Sequence, residues 1–358
     1  MRIAVYDPRL PRLLNNAQGN LGTAVQLAVA LSSAGCSLEI LHEGELNKDA
    51  FFQHIEFDLP NVKLLSVTPS DVGMTGITSH YDIFINASDD RFIRSRASAA
   101  YWFYPFPSRP SLGLNTNNAN QALQSYRHIV ACSQYARHWF KHSWHVDAVV
   151  LPPLVRPIVP DYPRRQVIAS VGNFFAGHNN KKQGALINAF CEMVDDGLKN
   201  WELHLIGHLD LSKDEDRNYF NRLDVLVGDY PVFIHMNVPQ QDLLNIISHA
   251  AIYWDAAGFD EDLKRHPTWV APFDTALVEA MSAGSAPVVF DAGSHTEIVQ
   301  EGHNGLLWNT LEELQVKTLR LIHDPYPREL LYQAAIQTSQ SYCDVGAFAD
   351  RVCKLIGL

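Results

Sequence analysis

"FDTALVEAMSAGSAPVVFDAGSHTEIV", residues 273–299, holds a buried-looking glutamate, Glu279, in a run of small residues. Thr275 to Ala283 reads as a helix that begins just after a loop, and Gly284 ends it. Pro287-Val288-Val289-Phe290 follows as a short strand, apolar enough to be buried on both faces of a parallel sheet. Open sheets of that kind bind ligands beyond the carboxyl ends of their strands. Helix N-termini there favour anions. Glu279, one turn into the helix, is placed to accept hydrogen bonds from a diol such as ribose. A second glutamate, Glu297, comes eighteen residues later.

Working outward, the same alternation recurs. Ile3-Ala4-Val5-Tyr6 is a strand, Asn15 to Gly22 a polar loop with two glycines, Thr23 to Ala34 a helix, and Ser37 to Leu41 the next strand. Further strands fit Asp82–Ile85, His128–Ala131 and Ala148–Leu151, with a helix over Gln134–Ser143. Pro152, Pro153, Pro157, Pro160 and Pro163 then make a stiff irregular connection. A second run starts at Gln166. Strand Val167–Val171 leads through a polar loop to Lys182 and helix Gln183–Val194. Strands Trp201–Ile206 and Val232–His235, helix Gln240–Ala250 and strand Ile252–Trp254 follow. Helices fill Leu311 to Ile356. The expectation is an α/β chain of two doubly wound domains, residues 1–155 and 156–335, with 336–358 as a C-terminal helix packing back on the first.

A chain of 358 residues exceeds what one core usually holds. Its net charge of −11 offers no broad basic field for a nucleic-acid backbone, so no nucleic-acid partner is expected. The five cysteines are odd in number and scattered, which reads as reduced thiols. The N-terminal MRIAVYDPRL runs straight into a strand pattern, unlike a signal peptide, and no run of 18 apolar residues occurs. A cytoplasmic protein is expected. Arg91, Arg94 and Arg96 in "RFIRSRASAAYWFYPFP" (91–107) leave open a peripheral contact with the inner face of a membrane; the plainer reading is a helix followed by a strand. His138, His142 and His145 have helical spacing, better explained by amphipathic packing than by a metal. Asp214-Glu215-Asp216 and Asp260-Glu261-Asp262 read as solvated acidic loops. No metal or cofactor is expected.

The block "VEAMSAGSAPVVFDAGSHTEIVQEGHNGLLW" (278–308) resembles the donor-binding signature of glycosyltransferase family 4. In chain order, "YRHIVACSQYARHWFKHSWHVDAVVLPPLV" (126–155), "VIASVGNFFAGHNNKKQGALINAF" (167–190) and "AAIYWDAAGFDED" (250–262) agree with that family as well. The resemblance implies a GT-B fold, two facing Rossmann-like domains with a cleft between them. It also implies a retaining, metal-independent transfer from a nucleotide sugar, with UDP-glucose as first guess. The acceptor would be a saccharide, free or lipid-linked, in surface polysaccharide synthesis. Carried over residue by residue, it places ribose binding on Glu279 and the donor-phosphate lysine on Lys181, with Lys182 beside it; Lys181 and Glu279 are the catalytic expectation. The nucleobase turn falls on His235-Met236-Asn237-Val238, with Met236 and Val238 as contacts. Phe273, Asp274, Thr275, Ala276 and Leu277 open the signature helix, and Gly19 to Gly22 form the glycine loop of the first domain.

Three positions depart from the family. Ala271 stands where its first signature acid is expected. Asn173 replaces an arginine after Gly172. Asp274 replaces a glycine, where it can cap the helix and repel a diphosphate. Tyr104 stands where the family often has a histidine beside the sugar. Glu297 is expected to orient the helix near the sugar, and His266 of "RHPTW" to reach the site. These departures keep two alternatives open, a nucleotide-binding, non-catalytic subunit and a nucleotide-sugar epimerase. A phosphorylase-like enzyme is disfavoured, since no lysine environment typical of pyridoxal phosphate is visible.

Overall fold

In the computed structural model the strands fall into two parallel sheets, and the chain divides into two units. The structure describes residues 1–11, 22–55, 57–68, 71–89, 91–105, 117–177 and 180–358. One unit comprises residues up to Leu154 together with Asp344–Leu358; the other runs from Val155 to Cys343. The fold class expected from sequence is the one observed, two Rossmann-like α/β domains.

The first unit is built from β1 (Ile3–Tyr6), α1 (Thr23–Ser33), β2 (Leu38–His42), α2 (Lys48–Ile55), β3 (Val62–Ser66), α3 (Asp71–Thr78) and β4 (Ile83–Asn86). β5 (Ala99–Phe103), α4 (Asn117–Gln124), β6 (His128–Ala131), α5 (Gln134–Trp144) and β7 (Val149–Val150) complete its sheet, in the order β3-β2-β1-β4-β5-β6-β7. Reversal of strand order at β1 defines a doubly wound sheet. Every residue of α1 from Ala24 to Leu31 is buried, as expected of a helix apolar all round.

The second unit repeats the plan with β8 (Arg165–Val171), α6 (Gln183–Asp195), β9 (Glu202–Gly207), α7 (Asp214–Val227), β10 (Val232–Met236), α8 (Gln240–His249) and β11 (Ala250–Asp255). It continues through α9 (Thr275–Ser282), β12 (Ala286–Phe290), α10 (His295–Ile298), β13 (Leu306–Trp308), α11 (Leu311–His323) and α12 (Pro325–Cys343). The strand order is β10-β9-β8-β11-β12-β13. Strand alternation separates two cores. Ile168, Leu203, Leu205, Trp254 and Val288 pack against α6 and α11 on one face. Val167, Ala169, Tyr253 and Val289 pack against α9 on the other. The last helix, α13 (Val345–Ile356), belongs to the first unit, where it lies along α1. Tyr101 there donates its hydroxyl to the Ile356 carbonyl at 3.1 Å.

Two local expectations are corrected. Residues 91–98 form no helix ahead of β5. The Asn86 amide holds the Arg91 carbonyl at 2.8 Å, and Thr78 and Ser125 hydroxyls accept the Arg96 and Ser95 amides, so side chains take the bonds a helix would make. Asp214-Glu215-Asp216 is the first turn of α7 rather than a solvated loop. Acids suit that turn through the helix dipole, and Asp216 is buried, accepting the Ala176 amide at 2.8 Å.

Candidate active site

In the second unit the strand order reverses between β8 and β11, the place where open α/β sheets bind ligands. β8 ends at Val171 and β11 at Asp255. The chain leaves β8 through Gly172 and returns at Lys181, one residue before the Lys182 that opens α6. A Cβ on Gly172 would collide with the Lys181 stem, and one on Gly207 with the Gly172 carbonyl. Glycine at these strand ends lets the loop close down, and the lysine is laid inward over it.

Lys181 is buried, with Nζ 2.5 Å from Oδ2 of Asp255 and 2.5 Å from Oδ2 of Asp274. Asp274 stands just ahead of α9 and caps it, its Oδ1 accepting the Leu277 amide at 3.1 Å. His295 is the fourth member. Its Nε2 lies 3.0 Å from Asp274 Oδ2 and its Nδ1 2.8 Å from the Phe290 carbonyl. A carbonyl only accepts, and so does an ionised carboxylate. Both ring nitrogens therefore carry protons, and His295 is an imidazolium. Two cations and two carboxylates leave the buried quartet neutral, as burial of charge requires.

The proton affinities follow. Burial alone would lower the Lys181 pKa, but Asp255 and Asp274 outweigh it and raise it. The same contest raises that of His295. Burial pushes Asp255 up to about 6. Asp274 is held well below the usual carboxylate range, because Lys181 and His295 overcome its burial. Asp255, Asp274 and His295 offer ligand atoms within 4.8 Å of one another, a set that suits a divalent ion. The Lys181 ammonium already stands on both carboxylates.

Glu279 lies one turn along α9, half-buried. Burial pushes its pKa from 4.5 up to about 8, the negative charge of Asp274 adds to this, and Arg156 opposes it. Thr275 and Ala276, half-buried, stand in the first turn of α9, whose amides no helical carbonyl reaches. Phe273 packs its ring 5.6 Å from Tyr342 of α12. At Ala271 it is the backbone that takes part: Ser294 donates its hydroxyl to the Ala271 carbonyl and accepts the Asp274 amide, fixing the entry to α9.

Other expected residues lie around this centre with their own partners. The Lys182 ammonium pairs with Glu261 and lies 6.0 Å from the Trp269 ring, on which His266 stacks at 4.4 Å. The Asn173 carbonyl accepts from Gln183 at 3.1 Å. Met236 is exposed at the end of β10, and Val238 packs on the α9-side core. Between them Asn237 clamps the Leu209 backbone through both amide atoms, at 2.9 and 3.1 Å. Glu297 sits on the exposed face of α10. In the first unit Gly22 is the N-cap of α1 with φ −53°, a value any residue adopts. Gly19 lies outside the described residues. Tyr104, also in the first unit, buries its hydroxyl near Cys132 and Arg351. Sequence reasoning missed Asp255 and His295. The signal for Asp255 was a charge closing the apolar strand Ile252-Tyr253-Trp254; His295 had none beyond its place in the signature block.

Residues 165–324 match the family model described as glycosyl transferases group 1. No curated protein matches the chain. Among solved structures, HepE from Anabaena, determined with UDP, with UDP and glucose and with UDP-glucose, is similar at a TM-score of 0.75 and 16% identity, covering 100% of both chains in the UDP complex. A glycosyltransferase from Rickettsia africae is similar at 0.71 and 12% identity, over 99% of this chain and 97% of that one. Sucrose-phosphate synthase from Thermosynechococcus elongatus follows at 0.67 and 14%, over 99% and 98%. These likenesses establish a GT-B fold, and the segment that matches the group 1 glycosyltransferase model spans the quartet and Glu279.

Proposed function

We propose that the protein is a retaining, metal-independent hexosyltransferase of glycosyltransferase family 4. UDP-glucose is the first candidate donor, and a free or lipid-linked saccharide of a surface polysaccharide is the acceptor. The supporting observation is an ammonium at a strand-order reversal, beside the N-terminus of the signature helix, within the segment that matches glycosyltransferases. That HepE is solved with UDP-glucose supports the choice of donor.

In this reading an acceptor oxygen bonds to the anomeric carbon as the bond from that carbon to the diphosphate breaks. The acceptor proton passes to a diphosphate oxygen. Charge grows on the leaving oxygen, and preorganised donors stabilise it. An ammonium has three N–H groups. Two of Lys181's meet Asp255 and Asp274, leaving the third for the diphosphate. The amides of Thr275 and Ala276 and the α9 dipole add to it. Glu279 receives the ribose hydroxyls. Lys181 supplies the positive charge a metal would otherwise bring.

Calorimetric titration of UDP-glucose and of other nucleotide sugars into the wild type and Glu279→Ala, with donor hydrolysis followed on the same samples, tests this. The expected result is tight binding of one nucleotide sugar and slow hydrolysis, both lost in the variant. Absence of binding by every nucleotide sugar tried would overturn the assignment.

A further inference from the structure

Three donors from three elements converge on one carboxylate. Asp274 Oδ1 accepts the Leu277 amide of α9, while its Oδ2 meets the Lys181 ammonium ahead of α6 and the His295 imidazolium of α10. A helix cap needs the amide alone. An amide at a helix N-terminus, an ammonium and an imidazolium together are what a phosphoryl group requires.

The pocket also holds a donor that the carboxylate does not use. Tyr253, on β11, is 0% exposed, and among the described residues its hydroxyl has no side-chain hydrogen-bond partner. Burial and then the charges of Asp274 and Asp255 act on it, all holding its proton on. A buried hydroxyl short of partners costs about 1–3 kcal/mol, and a ligand that reached it would recover that cost. A carboxylate has two oxygens, and Asp274 has committed both. A phosphoryl group has more, enough to reach Tyr253 as well.

We propose that Asp274 is a resident anion filling a phosphate pocket formed by the α9 N-terminus, Lys181, His295 and Tyr253, and that it limits how tightly this unit binds a diphosphate. The Asp274 backbone is pinned by Ser294, so freeing the pocket requires only that its side chain turn away. Asp255 remains on Lys181 in either state. With Asp274 removed, the pocket changes from neutral to one net positive charge. The inference rests on the preceding functional reading only in taking a diphosphate as the natural ligand.

The test is calorimetric titration of inorganic pyrophosphate into the full chain, which needs no sugar, base or turnover. Asp274→Ala is expected to bind pyrophosphate at least tenfold more tightly than the wild type. Adding Lys181→Met should abolish the gain, and adding Tyr253→Phe should reduce it severalfold. Asp274→Asn keeps a capping oxygen and drops the charge, so it shows a gain as well and decides the matter if the alanine variant fails to fold. Unchanged or weaker pyrophosphate binding in a folded Asp274 variant would overturn the proposal. Sugar-nucleotide turnover can still be found in that case, and a gain can be found without turnover, so the two readings fail separately.

Discussion

At the scale of the residue, the quartet turns on protonation. His295 is held between a carbonyl and a carboxylate, so it stays charged, and its charge lets two aspartates share one lysine. Removing one partner of a buried ion set strands the rest. Lys181→Met is therefore expected to destabilise the second unit by roughly 3–5 kcal/mol, and His295→Ala comparably; denaturant unfolding measures both. A loss below about 1 kcal/mol would show the quartet to be well hydrated. Glu279 gives a separate signal. Its pKa rises to about 8 in the fold, so the fold favours the neutral acid. That contribution is complete below about pH 4.5 and is lost as pH rises through about 8. The melting temperature of the wild type should fall between pH 5 and 8.5 by an increment that Glu279→Gln abolishes. Parallel curves would show that Glu279 titrates at its ordinary value.

At the scale of the element, what could be read in the sequence depended on how local the cause was. Thr275–Ser282 and the strand after it were legible because a glycine and a proline punctuate an apolar pattern. The strands that open each unit were legible for the same reason. β3 was not, since only Val62 and Leu64 are buried in it and its edge position weakens the alternation. The stretch before β5 was misread because Asn86, Thr78 and Ser125 hold it from elsewhere in the chain. In the site, Lys181 and Glu279 could be named from their motifs, but their state could not. Neither the capture of Lys181 by Asp255, 74 residues away, nor that of Asp274 by His295 has a local signature. The β8–α6 turn tests whether Lys181 owes its position to Gly172. Gly172→Ala puts a methyl group where the lysine stem lies, an overpacking that costs roughly 1–3 kcal/mol. Nucleotide binding should weaken along with stability. Loss of stability with binding intact would separate Lys181 from the donor.

At the scale of the whole molecule, three cores with no residue in common pack on two sheets, one core in the first unit and two in the second, and among the described residues the chain crosses from one unit to the other twice. The last helix is the more telling crossing. Asp344 caps α13 through the Ala347 amide at 2.9 Å, and Phe348, Ala349, Val352 and Ile356 are buried in the first unit's core. The last helix thus stabilises a unit whose other strands and helices all lie before Leu154 in the chain. Each unit should then answer to its own perturbation in a calorimetric scan. Phe348→Ala removes a ring that is 0% exposed, at a cost of roughly 3–5 kcal/mol, or on the order of 10 °C for a unit of this size. That loss should fall on the first unit's transition. UDP at a hundredfold excess over its dissociation constant should stabilise the second by about 2.7 kcal/mol and leave the first where it was. If Phe348→Ala instead lowered every transition equally, and UDP raised every one, the two units would be melting as one body, and neither the division at Leu154 nor the placement of the donor site within the second unit alone would stand.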